Sequence, residues 1–253
     1  MTDFRSFRAA AVVLRHADWG EADRLLTLYT REQGMVRALA KGARKVTSRK
    51  AGHLQPFTQI TVQLAKGRDL LIVTQVETVN AFLPLHDDLT KTSYAAYVVE
   101  LLLRFSYEDE GANPSLYRLL VETLSRIEKE ADAWLSVRYY EMRFLDAVGF
   151  RPQLFECANC GREIKAEDQF FSFTAGGVIC PRCGEGLRNL TKISLEALKY
   201  LRHFQRSSYK EASRALPSSE VRDETEVLMQ GYFTYLLERG LNTPGFIKKV
   251  KSK

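Results

Sequence analysis

The first eighty residues show apolar segments of strand length separated by polar turns. The clearest is Thr58 to Leu64, where apolar and polar side chains alternate, as in a strand with one buried and one solvated face. The turn Lys66-Gly67-Arg68 leads into a segment rich in β-branched residues, Leu70 to Val79, so these two segments form a predicted hairpin. Three further strands are predicted at Ala9–Leu14, Leu25–Tyr29 and Met35–Ala40.

Five short strands within residues 1–80, with no long helical period among them, predict a small closed or partly closed barrel. An OB fold is our preferred interpretation. An SH3-like barrel is the structural alternative, because periodicity alone does not separate the two. We expect residues 1–80 to form one domain.

Beyond Pro84 the apolar period changes to about 3.6 residues, which is typical of helices. The helix at 133–148 is apolar on nearly all sides, so it is predicted to lie at the centre of a helical bundle. We therefore expect an α+β protein with an α-helical domain at 81–253. The predicted helices are 94–105, one capped by Asn113, 133–148, one capped by Ser194, and 219–239.

The four cysteines form two C-x-x-C pairs, with nineteen residues between Cys160 and Cys180. This spacing is typical of a zinc site built from four thiolates, here Cys157, Cys160, Cys180 and Cys183. Four sulfur ligands leave no open coordination position, so we expect one structural zinc ion per chain. The inserted zinc module is predicted at about 155–188, with Phe170, Phe171 and Phe173 in a small β ribbon that packs on the metal site.

Two disulfides or a redox C-x-x-C motif are the alternatives to zinc. The chain opens Met1-Thr2-Asp3-Phe4-Arg5, without a secretory signal, which favours a reducing cytoplasm and disfavours disulfides. A redox motif needs only one pair beside a βαβ pattern, and we see no such pattern. The longest apolar helical run, Tyr94 to Leu103, is interrupted by Glu100 and is too short to span a membrane.

The net charge of +6 is distributed unevenly along the chain. Residues 1–80 carry a net +6, residues 81–247 a net −4, and the tail 248–253 a net +4. This asymmetry indicates an anionic partner for the N-terminal part. Between the third and fourth strands, the segment 41–50 holds five cations and no acid, so it is able to follow a phosphate backbone, although a solvated charged loop is the alternative.

Several short motifs, in their order and spacing over essentially the whole chain, resemble the family of bacterial recombination mediators called RecO. In the N-terminal part these are Glu21-Ala22-Asp23-Arg24, Gly34, Lys41-Gly42-Ala43-Arg44-Lys45 and Leu54-Gln55-Pro56-Phe57. In the C-terminal part they are the stretch 144–150, Pro152, Leu154, Cys157 and Cys160-Gly161. The resemblance implies an OB fold, an α-helical domain and a zinc module.

The resemblance also implies a protein of the RecF-type recombination pathway, without enzymatic turnover, that works in the cytoplasm at the nucleoid. It implies binding of single- and double-stranded DNA and annealing of complementary strands. Together with RecR, such a protein helps RecA replace the single-stranded-DNA-binding protein, SSB. The acidic C-terminal tail of SSB is expected to dock on the helical domain.

By the same resemblance, DNA is expected to contact Lys41, Arg44 and Lys45. Charge and position alone add Arg37, Arg49 and Lys50. Arg24 is a weaker candidate, because an ion pair with Asp23 or Glu21 would also account for it.

Two other classes of function compete with this interpretation. A zinc nuclease would need an open metal position or clustered carboxylates, and the dense acids, Asp87-Asp88 and Glu108-Asp109-Glu110, flank predicted helices. An RNA-binding or adaptor protein would have the same folds, because composition does not separate RNA-binding from DNA-binding OB barrels.

Overall fold

The computed structural model describes residues 6–108 and 110–251, with only the main chain of Lys251; the opening segment, Asp109, Ser252 and Lys253 lie outside the described residues. Contacts divide the chain into two compact units. The first comprises residues 1–133 and 247–253, and the second comprises residues 134–246. The boundary expected between residues 80 and 81 remains a prediction about which parts fold on their own.

Five strands of the first unit form a closed barrel in the order β1-β2-β3-β5-β4, with β4 pairing back to β1. All neighbours are antiparallel except β3 and β5, which run parallel. This five-stranded closed barrel is OB-like, which confirms the predicted fold class. The strands are β1 (Ser6–Trp19), β2 (Asp23–Thr30), β3 (Gly34–Ala40), β4 (Gln59–Lys66) and β5 (Leu71–Asn80).

Strand β1 closes the barrel because it pairs with two neighbours. Its residues 6–12 pair with β4 and its residues 11–19 pair with β2. The register shifts between Val13 and Arg15, and an extra residue of this kind bends a strand and increases its twist. The barrel interior is apolar and fully buried: Ala9, Ala11, Val13, Leu26, Leu28, Ala38, Ala40, Ala43, Leu54, Ile60, Val62, Leu64 and Val73.

The first unit also contains three helices and a short 3-10 helix at Ala51–Leu54. The predicted cap of α3 is confirmed, because Asn113 Oδ1 accepts a hydrogen bond from Leu116 N at 3.0 Å. Asp88, one of the dense acids, caps α2 by accepting from Thr90 N and Lys91 N. The helices are α1 (Pro84–Asp87), α2 (Leu89–Phe105) and α3 (Pro114–Lys129).

The second unit is built on α4 (Trp134–Ala147), which is buried on nearly all sides as predicted and even encloses an ion pair between Arg138 Nη2 and Glu141 Oε1 at 2.9 Å. The cap at Ser194 is also confirmed, since its Oγ accepts from Ala197 N at 3.2 Å. The sequence prediction missed β8, α5, α7 and α9, as it did α1 in the first unit. The other elements are β6 (Gln169–Ser172), β7 (Gly177–Ile179), α5 (Pro181–Gly184), β8 (Thr191–Ile193), α6 (Leu195–Arg206), α7 (Tyr209–Ala212), α8 (Ser219–Leu236) and α9 (Thr243–Lys251), of which only residues 243–246 belong to this unit.

Within the described ranges, no helix is both long enough and apolar enough to cross a membrane.

The turn into β3 yields a stability prediction. Gly34 has φ +71°, and a Cβ placed on it would lie 2.2 Å from the Gly111 carbonyl oxygen. Gly20 has φ +54°, and its Cβ would meet nothing within 4 Å. We expect Gly20→Ala to cost about 1–2 kcal/mol from the left-handed backbone alone. Gly34→Ala should cost about 1–3 kcal/mol more, because the clash displaces main chain.

Thermal or urea unfolding of the two variants measures this difference directly. Equal stability of Gly34→Ala and Gly20→Ala would contradict the close approach of Gly111 to β3.

Candidate functional site

The four cysteines come together in the second unit. Their sulfur atoms all lie within 4.8 Å of one another, and they form the single such group of potential metal ligands among the described residues. Cys157 is buried, whereas Cys160 is exposed. The first pair lies in a turn closed by Gly161 N donating to Cys157 O at 2.8 Å, and the second begins the short helix α5.

This arrangement passes a geometric test for a tetrahedral ion. A metal–sulfur bond of about 2.3 Å in a tetrahedron separates the sulfur atoms by about 3.8 Å. The Sγ atoms of Cys160 and Cys180 lie 4.0 Å apart. In addition, Cys180 N donates to Cys157 Sγ at 3.3 Å, which favours a negatively charged sulfur at that position. The four cysteines could therefore hold one metal ion.

The thiols differ in acidity. Burial raises the pKa of Cys157, but the N–H groups of Cys180, Cys160 and Asn159 donate to its sulfur and bring the pKa down to about 6. The N–H of Cys183 lowers the pKa of Cys180, but burial and the neighbouring thiols bring it up to about 11. Because thiolates are the metal ligands, binding at neutral pH releases protons and weakens as the pH falls.

The predicted ribbon is present as β6 and β7, with β8 as a third strand. Phe170 packs on the second cysteine turn, as expected: a Cβ on Gly184 would lie 2.4 Å from its ring. Phe171 and Phe173 instead pack against α8, with ring centroids 5.5 Å and 6.2 Å from that of Tyr232. The ribbon therefore joins the cysteine cluster to the helical core.

The basic segment 41–50 is held to the barrel along its first half. Gly42 N donates to Asp23 Oδ1 at 2.7 Å, and Arg44 N donates to Ala22 O at 2.8 Å. The side chain of Ala43 is part of the barrel core. These contacts place the segment beside the turn between β1 and β2.

Three of the six predicted DNA-binding side chains have protein partners. Arg44 Nε lies 3.3 Å from Asp18 Oδ2, and Arg37 Nε lies 3.7 Å from Glu108 Oε1. Lys50 Nζ donates to the Val73 carbonyl at 2.9 Å. The other three, which are exposed and have no side-chain hydrogen bond or ion pair with any described residue, are Lys41, Lys45 and Arg49.

Arg24 was a weaker candidate for DNA binding because an ion pair with Asp23 or Glu21 would account for it. It does form an ion pair, but with Asp18. Its Nε lies 3.9 Å from Asp18 Oδ1 rather than near Asp23 or Glu21. Asp18 therefore lies between two arginines, Arg24 and Arg44.

Two side chains on the barrel were missed by the sequence prediction. Arg15 lies across from Thr27, donating from Nε to its Oγ1 at 3.2 Å, and Thr27 lies across from Arg37 on the next strand. The three side chains form a row on the outer face of β1, β2 and β3. Trp19, at the end of β1, is 49% exposed. The position of Trp19 in the turn-like segment 18–20 was a detectable signal, because a tryptophan in a polar turn is unusual. The row, in contrast, depends on the register shift in β1.

A cavity of about 360 Å³ lies beside α3. Its apolar lining, Pro114, Tyr117 and Val121, repeats along one face of the helix. Two exposed cations, Arg31 and Arg118, border it. Glu122, which forms an ion pair with Arg126 Nη2 at 2.7 Å, also lines the cavity. The cavity thus combines an apolar floor with two cations and one carboxylate that already has a cationic partner.

An OB-like barrel with a cationic outer surface, followed by a helical part that contains a four-cysteine cluster, defines the class of protein. Comparison with known proteins identifies the family. The model described as Recombination protein O N terminal matches residues 1–82, and the model described as Recombination protein O C terminal matches residues 86–244. The chain belongs to the RecO family of DNA repair proteins.

Similar proteins named DNA repair protein RecO cover almost the whole chain. The protein of Roseiflexus sp. (strain RS-1) is 39% identical over 247 residues, which are 98% of this chain and 87% of the relative. That of Dehalococcoides mccartyi (strain ATCC BAA-2266 / KCTC 15142 / 195) is 35% identical over 94% of each chain. That of Pelotomaculum thermopropionicum (strain DSM 13744 / JCM 10971 / SI) is 35% identical over 96% of this chain and 94% of its own.

The cysteine cluster yields a prediction about metal and stability. Cys160 is exposed, so Cys160→Ser removes a ligand without opening a cavity in the core. We expect the variant to lose bound metal and to melt at a lower temperature, because a closed metal site contributes directly to folding. Metal analysis and thermal unfolding measure both.

A chelator provides the control. It should lower the melting temperature of the wild-type protein and leave that of Cys160→Ser unchanged. An equal response of both proteins would show that the cysteines do not hold the metal.

Proposed function

We propose that the protein binds single- and double-stranded DNA on the outer surface of the barrel and anneals complementary strands. Together with RecR, it helps to load RecA onto DNA coated with SSB, in the RecF-type recombination pathway. It acts in the cytoplasm, at the nucleoid. The cationic surface formed by the segment 41–50 and the row on β1 to β3 is the observation that carries this proposal.

The charge on this surface is accessible to a ligand. Lys41, Lys45 and Arg49 have no competing partner among the described residues. The ion pairs of Arg37 and Arg44 are partly exposed, and such pairs contribute only about 0–1 kcal/mol. A phosphate can therefore replace the carboxylate at small cost. The six cations named from the sequence, Arg37, Lys41, Arg44, Lys45, Arg49 and Lys50, and Arg15 in addition, remain the proposed DNA contacts.

Trp19 adds a surface for base stacking to the phosphate contacts. Its exposed ring lies at the end of β1, next to Gly20. Arg44 Nη1 donates a hydrogen bond to the Gly20 carbonyl at 3.1 Å, so a cation lies in the same region. A nucleobase can stack on such a ring whatever its identity, and stacking contributes about 1–3 kcal/mol per base. Phosphate contacts and stacking together give binding without sequence preference, as an annealing protein requires.

We assign the acidic C-terminal tail of SSB to the cavity on α3. Arg31 and Arg118 suit the carboxylates of such a tail, and the row of Pro114, Tyr117 and Val121 suits an apolar side chain. This assignment agrees with the expectation that the tail docks on the helices rather than on the surface given to DNA.

The metal is proposed to be zinc. Four thiolates whose sulfur atoms lie within 4.8 Å of one another suit zinc, and with no open position the ion has a structural role. When bound, it supplies a cross-link between the two cysteine turns. Cys157, Cys160, Cys180 and Cys183 are the proposed ligands.

We propose that the protein is not an enzyme. Asp88 caps α2 and Glu108 pairs with Arg37, so two of the dense acids have structural partners; Asp109 lies outside the described residues. Binding of RNA, or a role as an adaptor, is the alternative function, and competition between matched DNA and RNA oligonucleotides separates it from the proposal.

The role of the segment 41–50 in DNA binding is tested with the three of its cations that have no hydrogen bond or ion pair with a described residue. The variant Lys41→Glu/Lys45→Glu/Arg49→Glu should fold normally, because these side chains are exposed. Its affinity for single-stranded DNA should fall for all sequences alike. With a slope near −0.7 per phosphate contact, loss of three contacts should flatten the plot of log K against log salt by about 2.

A matched control reverses three exposed cations of the other unit, Arg188→Glu/Lys192→Glu/Lys210→Glu. Affinity and salt slope should then stay near the wild-type values. If both triple variants lose affinity equally, only net charge matters and the barrel surface is not the site.

Trp19 is tested separately from charge. Trp19→Ala should weaken binding of single strands by about 1–3 kcal/mol while leaving the salt slope unchanged, because no phosphate contact is removed. Trp19→Phe retains a ring and should keep most of the affinity. Unchanged binding by Trp19→Ala would exclude stacking at this position.

The cavity on α3 is tested with a peptide of the SSB tail. Arg118→Glu should weaken peptide binding at least about tenfold, because a charge-assisted hydrogen bond is replaced by repulsion. Lys129→Glu makes the same charge change on the same helix, outside the cavity, and should have little effect. Equal effects of the two variants would place the tail elsewhere.

A further inference from the structure

The second unit contains a cleft of about 770 Å³ on helix α6. Three of its lining residues, Lys199, Arg202 and Arg206, follow one another at intervals of three and four along α6, so they share one face of the helix. The opposite wall is the hairpin that carries the first cysteine pair, which contributes Phe155 and two carboxylates, Glu156 and Glu163. None of these groups takes part in the DNA surface proposed above.

Two guanidinium groups in this cleft are held in place before any ligand binds. Arg206 Cζ lies 3.4 Å from the centroid of the Phe155 ring, and Arg202 Cζ lies 5.1 Å from it. Arg202 Nε also donates to the Leu154 carbonyl at 2.9 Å. A guanidinium stacked on a ring keeps its N–H edges available for the oxygen atoms of an anion such as a phosphate, and less entropy is lost when one binds.

The two arginines are also close enough to destabilise each other. Burial, and then the charge of Arg206, lower the pKa of Arg202, while Glu163 acts in the opposite direction. Across the described residues, neither guanidinium forms an ion pair with a carboxylate. An anion bound by both would relieve this repulsion.

We propose that Arg202 and Arg206, with Lys199 on the same helix face, bind phosphates of a second nucleic-acid strand. The inference rests on the proposed annealing function, which requires that two strands be held at once. The three cations succeed one another by about 4.5 Å and 6 Å along the helix axis, so consecutive phosphates of a flexible strand can reach them.

An acidic peptide fits this cleft less well than a phosphate chain. The aromatic floor is the single ring of Phe155, and it is already covered by guanidinium groups. No apolar row is left for an apolar side chain of a peptide, in contrast to the cavity on α3.

The cleft gives the cysteine module a role in binding as well as in stability. Phe155 begins the hairpin, and its carbonyl accepts from Ile164 N at 2.9 Å. Cys157 N donates to Arg162 O at 2.7 Å within the same hairpin. A metal ion bound by Cys157 and Cys160 therefore fixes the ring that orients both arginines.

The test uses the full-length protein and two oligothymidylates, one with a donor dye and one with an acceptor dye, which cannot pair with each other. Energy transfer reports both strands on one protein assembly, and anisotropy with one strand alone reports first-strand affinity. The variant is Lys199→Gln/Arg206→Gln, which leaves the bond from Arg202 to Leu154 intact. The control, Arg188→Gln/Lys192→Gln, neutralises one arginine and one lysine of the same unit outside the cleft.

We expect the cleft variant to keep first-strand affinity within about twofold and to lose two-strand binding about tenfold, since each phosphate contact contributes a factor of a few. Phe155→Leu, which keeps all charges, should show the same defect with unchanged metal content. The control should behave as wild type.

Unchanged two-strand binding by the cleft variant overturns the inference, and so does loss of SSB-tail peptide binding with two-strand binding intact. Failure of the wild-type protein to bind even one strand would instead refute the proposed function itself.

Discussion

The bend in strand β1 is the constraint on which the first unit depends. The extra residue near Leu14 bends the strand between the part that pairs with β4 and the part that pairs with β2. In the segment that follows β3, Arg44 N donates to Ala22 O in the turn after β1, so this segment lies beside that turn. The same shift in register turns Arg15 to the outer face, beside Thr27 and Arg37. The register shift near Leu14 therefore affects both the course of β1 and the arrangement of the proposed DNA-binding surface.

In the second unit, the cysteine cluster and the β ribbon hold the segment between α4 and α6 to the helices. The 47 residues between α4 and α6 hold only short strands and one short helix, so this segment builds little core of its own. Its two C-x-x-C turns are brought together in the four-cysteine cluster. Around the cluster, Phe170 packs on one cysteine turn, while Phe171 and Phe173 join the ribbon to α8. The outer side of the first cysteine turn bears Phe155, on which two arginines lie. The cysteine cluster, the ribbon and the two arginines thus form a continuous series of contacts within this unit.

The sequence predicted what depends on local pattern. Alternation predicted β4, a β-branched segment predicted β5, and apolar runs of strand length predicted β1, β2 and β3. The helix caps at Asn113 and Ser194 were correct, and the spacing of the cysteines predicted their cluster. It could not show which cations of the segment 41–50 already have partners, because Asp18 and Val73 reach them only through the fold. The row that includes Arg15 depends on strand register, and the arginine pair on Phe155 joins residues about fifty positions apart. Such long-range contacts leave no periodic signal.

The central claim is that the outer surface of the barrel receives single-stranded DNA. Ultraviolet crosslinking of oligothymidylate to the intact protein, followed by identification of the linked peptides by mass spectrometry, tests it most directly. We expect crosslinks in the segments 15–25 and 41–50 at low DNA concentration, with Trp19 as a linked residue. Crosslinks confined to residues 134–246, with none in the barrel, would contradict it.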